Sequence, residues 1–414
     1  MPPKVETEPA MATATSSHSS RLAADLRVHL TRLIEHLAGS PARPVRLIRQ
    51  TGLDKSLASR LIQATKTGSD LDFLHLVPSP TGLRILLDAS QPLVDPELHR
   101  ALELAIDQFQ LLLDTLPGGR QTLDAQLGHA SADIRLRREH MARQASFKAV
   151  SFLFGHYSET LTTAIFVVPD ADGVHTQMIE VHRRIGLHRV TPGTPMPLLS
   201  LFTFGKTDGP APGAQMASIQ GDVATQRAED FIVSAGSSMP LPELVVEREG
   251  QFTTFVLPGD AGSPPPVQLT TAFRVLRAQR LAADGAVTLL RNYMLNTPCH
   301  RLVRDIYVAD TLWPGMQPLV RFYLPGPSGA PVPAPDPERR HFRQLNLSAS
   351  FEPLPMGQDG MALEGVPDQA AALQHVLRQA GLQDQAFRGW RCELSYPVPL
   401  VEMQFSIRNA TPPD

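Results

Sequence analysis

The segment "RQTGLDKSLASRLIQATK", residues 49–66, holds the densest group of side chains able to recognise another molecule. If residues 54–66 are helical, Leu57, Leu61 and Ile62 fall on one inward face. Lys55, Ser56, Ser59, Arg60, Gln63 and Lys66 are then left outside, offering hydroxyls, an amide and cations with no carboxylate among them. Arg43, Arg46 and Arg49 precede them at helical spacing. Such a set suits the mixed donors and acceptors that bases present in the major groove, together with the flanking phosphates. The competing structural reading is the solvated side of a small helical bundle.

No comparable group points to catalysis. The chain has no Gly-x-Ser-x-Gly elbow, no phosphate-binding glycine loop, no His-Glu-x-x-His and no Cys-x-x-Cys pair. His175, His182 and His188 lie near one another, but no carboxylate or Cys joins them at ligand spacing, so no metal or other cofactor is expected. Asp170 and Asp172 in "PDADG" are explained by turn chemistry. Cys299 and His300 are adjacent on a strand pattern and would point to opposite faces, which excludes a nucleophile–base pair. A non-enzyme is therefore expected, although chemistry assembled from residues distant in sequence stays open. The basic run Arg135, Arg137, Arg138 and Arg143 is interrupted by Asp133 and Glu139 and is read as a solvated helix face. Phe255, Tyr293, Tyr307, Trp313, Phe322 and Tyr323 sit in apolar strand patterns, as core residues do.

Bulk composition sets the frame for these groups. A chain of 414 residues with 42% hydrophobic and 19% charged residues is globular and too long for one ordinary core. Its formal net charge is -3, yet residues 21–90 carry ten Lys and Arg against six Asp and Glu, hence +4. A positive module on an acidic body is what a nucleic-acid reader shows. Two cysteines, Cys299 and Cys392, are too few for a disulfide framework and suit buried thiols in a reducing compartment. Residues 1–20 are small, polar and proline-containing, and are expected to be a disordered tail rather than a secretory signal. No apolar run approaches membrane-spanning length. A cytoplasmic protein without membrane contact is expected.

The elements that must position the polar group follow from pattern and caps. Leu22, Leu26, Leu30, Leu33, Ile34 and Leu37 form one helical face, which ends at Gly39 and Pro41. A short helix from Pro44 to Gln50, a Thr51-Gly52 turn and a helix capped by Asp54 follow. Ser79-Pro80 opens a further helix over "TGLRILLDA"; a hairpin wing is the alternative. These elements make one domain, residues 21–90. Asp95-Pro96-Glu97 starts a long helix that Pro117-Gly118-Gly119 stops, and a second long helix covers 131–154. Residues 91–155 are thus expected to be a two-helix connector.

From residue 156 to 414 the pattern is one of strands. Hairpins are expected over "TLTTAIFVV" and "VHTQMIEVHRR", over "ELVVEREGQFTTFVL", and over "TAFRVLRAQRLAADGAVTLLRNYML" through Asp284-Gly285. "HRLVRDIYVADTLW", "QPLVRFYL", "RCELSY" and "LVEMQFSI" add strands, and Pro367-Asp368 opens one late helix. The expected class is α+β: a helical head, the connector and a large antiparallel β-rich region, with a possible subdomain split near 325–340.

"VRLIRQTGLDKSLASRLIQA" resembles the helix-turn-helix of bacterial transcriptional regulators. The matching features are Gly52 in the turn, Leu53 after it, Lys55-Ser56 opening the second helix and Arg60-Leu61-Ile62 beyond. Ile48 and Ala58 reverse the family's usual order of small and β-branched residues, with summed volume nearly kept. The resemblance covers about twenty residues. It implies that Ser56, Ser59 and Arg60 approach base edges of double-stranded DNA while Lys55 and the upstream arginines hold phosphates. It also implies a regulator, dimeric because paired heads double the contacts, with a β-rich domain that senses a small-molecule or protein effector or mediates oligomerisation. The alternative is a non-enzymatic scaffold or assembly protein whose helical head binds protein.

Overall fold

The computed structural model describes residues 8–130, 132–202, 215–220, 227–249, 252–259, 266–281, 289–326 and 341–407. They fall into two compact units, Met1–Arg138 and Glu139–Asp414.

The first unit is helical. Its opening helix α1 (Glu8–Ala38) begins inside the stretch read from sequence as a tail. The expected leucine face is buried, with Leu26 and Leu30 at 0% exposure. Next come α2 (Pro44–Thr51) and α3 (Lys55–Thr65), both packed against α1. Between them Gly52 adopts φ +70°, a conformation that costs glycine nothing, and its N–H donates to the Ile48 carbonyl at 2.8 Å. The Asp54 carboxylate caps α3 by accepting from the Leu57 N–H at 2.9 Å.

α4 (Asp70–Leu76) and α5 (Pro80–Ser90) follow, capped by Ser69 and Ser79. Pro80, in the first turn of α5, is suited there by its missing N–H. The hairpin-wing alternative is therefore excluded, because the residues on either side of Ser79, Asp70–Leu76 and Pro80–Ser90, are both helical.

α6 (Pro96–Thr115) starts at the expected Asp95 cap. The pattern did not reveal α7 (Arg120–Ala130), which begins straight after the Pro117-Gly118-Gly119 stop. Arg120 anchors it by donating to the Leu74, His75 and Val77 carbonyls at 2.9, 2.6 and 3.2 Å, the unsatisfied end of α4. α8 (Ala132–Phe154) carries the boundary between the units. Leu102, Ile106, Phe109 and Ile134 share one core with the α1 leucines, so much of the stretch read as a connector belongs to the helical unit.

The second unit is built on sheets. β1 (His156–Pro169) and β2 (His175–Arg189) form the expected hairpin. β3 (Met196–Phe202), β4 (Gln215–Ala217) and β5 (Ile232–Val233) precede a second expected hairpin, β6 (Val245–Glu249) with β7 (Phe252–Leu257). Then come β8 (Val267–Arg280), β9 (Leu289–Met294), β10 (Cys299–Ala309), β11 (Pro318–Tyr323), β12 (Gln344–Leu345) and β13 (Ser350–Pro353). α9 (Gln369–Gln379), β14 (Phe387–Ser395) and β15 (Glu402–Ile407) close the chain.

One eight-stranded sheet runs β13-β14-β10-β1-β2-β8-β4, with β5 also on β8; a second runs β12-β11-β15-β9 and a third β3-β7-β6.

Two expectations are corrected. β8 and β9 do not pair: β8 joins β2 in the large sheet, while β9 joins β15 in the smaller one. Asp284-Gly285, the expected turn, lies outside the described residues, as does most of the possible split at 325–340. The sheet is also not wholly antiparallel, because β1 lies parallel to β10, with Leu161 opposite Leu302. That pairing joins strands some 140 residues apart, which no local pattern specifies.

Candidate nucleic-acid interface

The α2–α3 face is assembled by burying the opposite side of each helix. Leu47 of α2 and Ala58, Leu61, Ile62 and Ala64 of α3 are buried, and Leu57 is half-buried. Ala58 is buried, at 0% exposure, while the larger Ile48 is only half-buried.

All nine side chains proposed for recognition lie outside. Arg43, Arg46 and Arg49 on and before α2, and Lys55, Ser56, Ser59, Arg60, Gln63 and Lys66 on and after α3, are exposed. None of them makes a side-chain hydrogen bond or ion pair with another described residue. Between Arg43 and Lys66 the only carboxylate is that of Asp54, which is engaged in its cap. The exposed sides of two helices, both packed on a third, thus carry cations, hydroxyls and an amide with no partner among the described residues.

The other groups with chemical potential are committed elsewhere. Arg137 pairs with Asp72. Arg143 is buried, its guanidinium 3.6 Å from Glu139 and donating to the Ser348 carbonyl at 3.3 Å. Those two residues are therefore not a second nucleic-acid strip, and the solvated-face reading of the run is corrected at Arg143, which packs inside its own unit.

Asp172 accepts from the Val174 and His175 N–H groups at 2.9 and 2.8 Å and from the His175 ring at 2.7 Å. The His175 bond, followed by the backbone donors, lowers its pKa to about 2. Turn chemistry accounts for this aspartate. His188 pairs with Glu159 at 2.8 Å, while His182 is buried, so the three histidines of β2 have three different surroundings. Among the described residues no group of three or more His, Cys, Asp or Glu side chains could hold a metal ion.

Burial pushes the Cys299 thiol up and Cys392 to about 12, which leaves both protonated and unreactive. His300 instead lies among rings, 4.6 Å from Phe147 and 5.2 Å from Tyr157. Phe255, Tyr307, Phe322 and Tyr323 are buried, and Tyr293 and Trp313 are half-buried; buried rings cannot stack on a base. Among the described residues no helix is long and apolar enough to cross a membrane.

Sequence reasoning overlooked the buried charges of the β unit, chiefly Arg183, Arg184 and Arg304. Basic residues in a strand read as a wet face. Only the covering of the sheet on both sides puts them inside.

No protein-family model matches the chain, and no curated protein matches it. Among solved structures it is similar to a provisionally named protease from Parabacteroides distasonis, at 8% identity and a TM-score of 0.25. The match covers 62% of this chain and 41% of that one, so the chain spans less than half of that protein's length.

Proposed function

We propose that this protein is a DNA-binding transcriptional regulator. Its helical unit holds double-stranded DNA through α2 and α3, and its β-rich unit serves as a sensory or dimerising body. The observation that carries this reading is the α2–α3 face itself: nine exposed polar side chains, none paired, with one engaged carboxylate among them.

The division of labour follows from side-chain length and chemistry. Ser56, Ser59, Arg60 and Gln63 on the outer face of α3 suit base edges, Arg60 reaching guanine in bidentate fashion and Gln63 adenine. Lys55, Lys66 and the three arginines around α2 are long, flexible cations suited to phosphate, where they fix register without reading sequence. One small head makes few phosphate contacts. Two-fold assembly on spaced half-sites supplies the rest, which favours a homodimer.

The test is retention of the intact protein on duplex DNA across a salt series. Binding should fall linearly on a log–log plot, and Lys55→Ala with Arg60→Ala should abolish it while the circular dichroism is unchanged. Single loss of a phosphate-contacting cation should reduce the salt slope by about 1. Unaltered retention by the double variant would exclude this face as the contact.

A further inference from the structure

The large sheet of the β unit is covered on both faces, and the fold treats buried arginines on those faces in opposite ways. On the face against α9, Arg183 is fully buried and fully partnered. It donates to Thr270 Oγ1 at 3.2 Å, Gln369 Oε1 at 2.7 Å and Asp368 Oδ2 at 2.7 Å. Asp305 on the same face receives Arg391 through two bonds of 2.8 Å.

On the other face, pairing to Thr163 puts His182 and Arg304 in one row, and pairing to Leu161 puts Arg184 in the next. β9 and β15 lie over them. The Arg304 guanidinium carbon is 4.3 Å from the Tyr293 ring centre and 5.4 Å from that of Phe405. Nε, Nη1 and Nη2 of Arg304 nevertheless find no acceptor among the described residues, although Arg304 is 0% exposed. Nε and Nη1 of Arg184 are equally without one.

The local charge does not balance. Arg184, Arg291 and Arg304 are three cations; among the described residues of that sheet face, Glu180 is already paired with Arg291, and Glu159, further along, is paired with His188. His182, whose Nε2 is 3.4 Å from Glu180, is kept neutral because burial holds its pKa down to about 3. Arg304 cannot escape in the same way: burial lowers it only to about 10, so it stays ionised at neutral pH. Two unpaired guanidiniums would remove much of the margin by which a domain is stable. Arg291 and Tyr293 are only half-buried, so the strand above Arg304 itself meets solvent.

We propose that this inter-sheet region binds a small carboxylate anion, whose oxygens accept from the free edges of Arg304 and Arg184 while its body lies against Tyr293 and His182. The planar fork of a guanidinium matches a carboxylate in bidentate geometry. Leu161, Leu302 and Phe273 share the same sheet face, and such apolar walls suit a carboxylate on an apolar body better than a heavily hydrated phosphate dianion. This site depends on the β unit alone and does not depend on the DNA reading.

The experiment is thermal unfolding of the intact protein, dialysed into carboxylate-free buffer, with sodium benzoate as the probe. Sodium chloride at equal ionic strength and inorganic phosphate are the comparison arms. Benzoate at about ten times its Kd should raise Tm by about 3 °C, and chloride should not. Arg304→Met should lose that shift and, without benzoate, melt no lower than the parent, since an apolar side chain of similar length removes an unpaired charge. Arg184→Met should weaken benzoate at least tenfold. The proposal is overturned if benzoate gives no shift, if chloride or phosphate matches it, or if Arg304→Met keeps it. A lower melting point of Arg304→Met in anion-free buffer would also overturn it, by showing that the guanidinium is structural. DNA retention through α2–α3 is a separate readout, so either reading can fail alone.

Discussion

Arg183 and Arg184 point to opposite faces of one buried sheet, and each meets what its own face supplies. Beside Arg184 on β2, His182 is surrounded by Glu180, Arg184, Arg304 and Tyr293 and stacks on Phe273 with ring centres 5.6 Å apart. Burial is the largest cause of its low pKa, followed by the two arginines. An unfolded histidine binds its proton near pH 6.5, so between that value and about 3 the unfolded state holds a proton that the folded state does not. Stability from this group is therefore complete above pH 6.5 and is lost as pH falls toward 3. The slope it adds is at most about 1.4 kcal/mol per pH unit. His182→Gln should flatten the urea-denaturation midpoint against pH in that window relative to the parent. An identical pH dependence in the two proteins would mean that His182 is solvated and free to charge.

At the scale of elements, the turn between α2 and α3 depends on one backbone angle. An added Cβ at Gly52 would meet no atom within 4 Å, so the cost of Gly52→Ala is conformational and not steric crowding by neighbours. Helical signal should report a destabilisation of about 1 kcal/mol for Ala and less for Asn, which tolerates positive φ. Equal losses would point to a packing role for this position instead. Asp54, Ser69, Ser79 and Asp95 each accept from a backbone N–H at a helix start, and three of these four starts were legible from the cap and the residues after it. The helix behind Ser69 was not, because seven residues of "DLDFLHL" carry too little periodicity to separate a short helix from a strand. α7 was hidden for a related reason. A proline–glycine stop signals an end, and nothing in it announces a new start two residues later.

Across the whole molecule, charge and core divide together. The positive stretch 21–90 lies within Met1–Arg138, and among the described residues this unit has a core of its own that runs from Leu22 to Ile134. A fragment of residues 8–138 should therefore fold alone, melt cooperatively by circular dichroism and, under the DNA reading, retain duplex DNA with the same salt slope per head. A non-cooperative melt would show that the helical unit needs the rest of the chain.

By itself the sequence determined what short-range physics controls. The Gly52 turn, most of the caps, the leucine face of α1 and the β1–β2 and β6–β7 hairpins are each written within one continuous stretch, the longest being His156 to Arg189. So is the polar character of the α3 outer face. Tertiary structure alone decided the partners of β8, β9 and β10, because strand pairing across long loops is selected by burial and not by local preference. It also decided which side of the sheet each buried charge faces. A strand with arginines at adjacent positions looks half-wet in sequence, and only layers closing over both faces separate Arg183, with every arm satisfied, from Arg184 and Arg304, whose edges are left open.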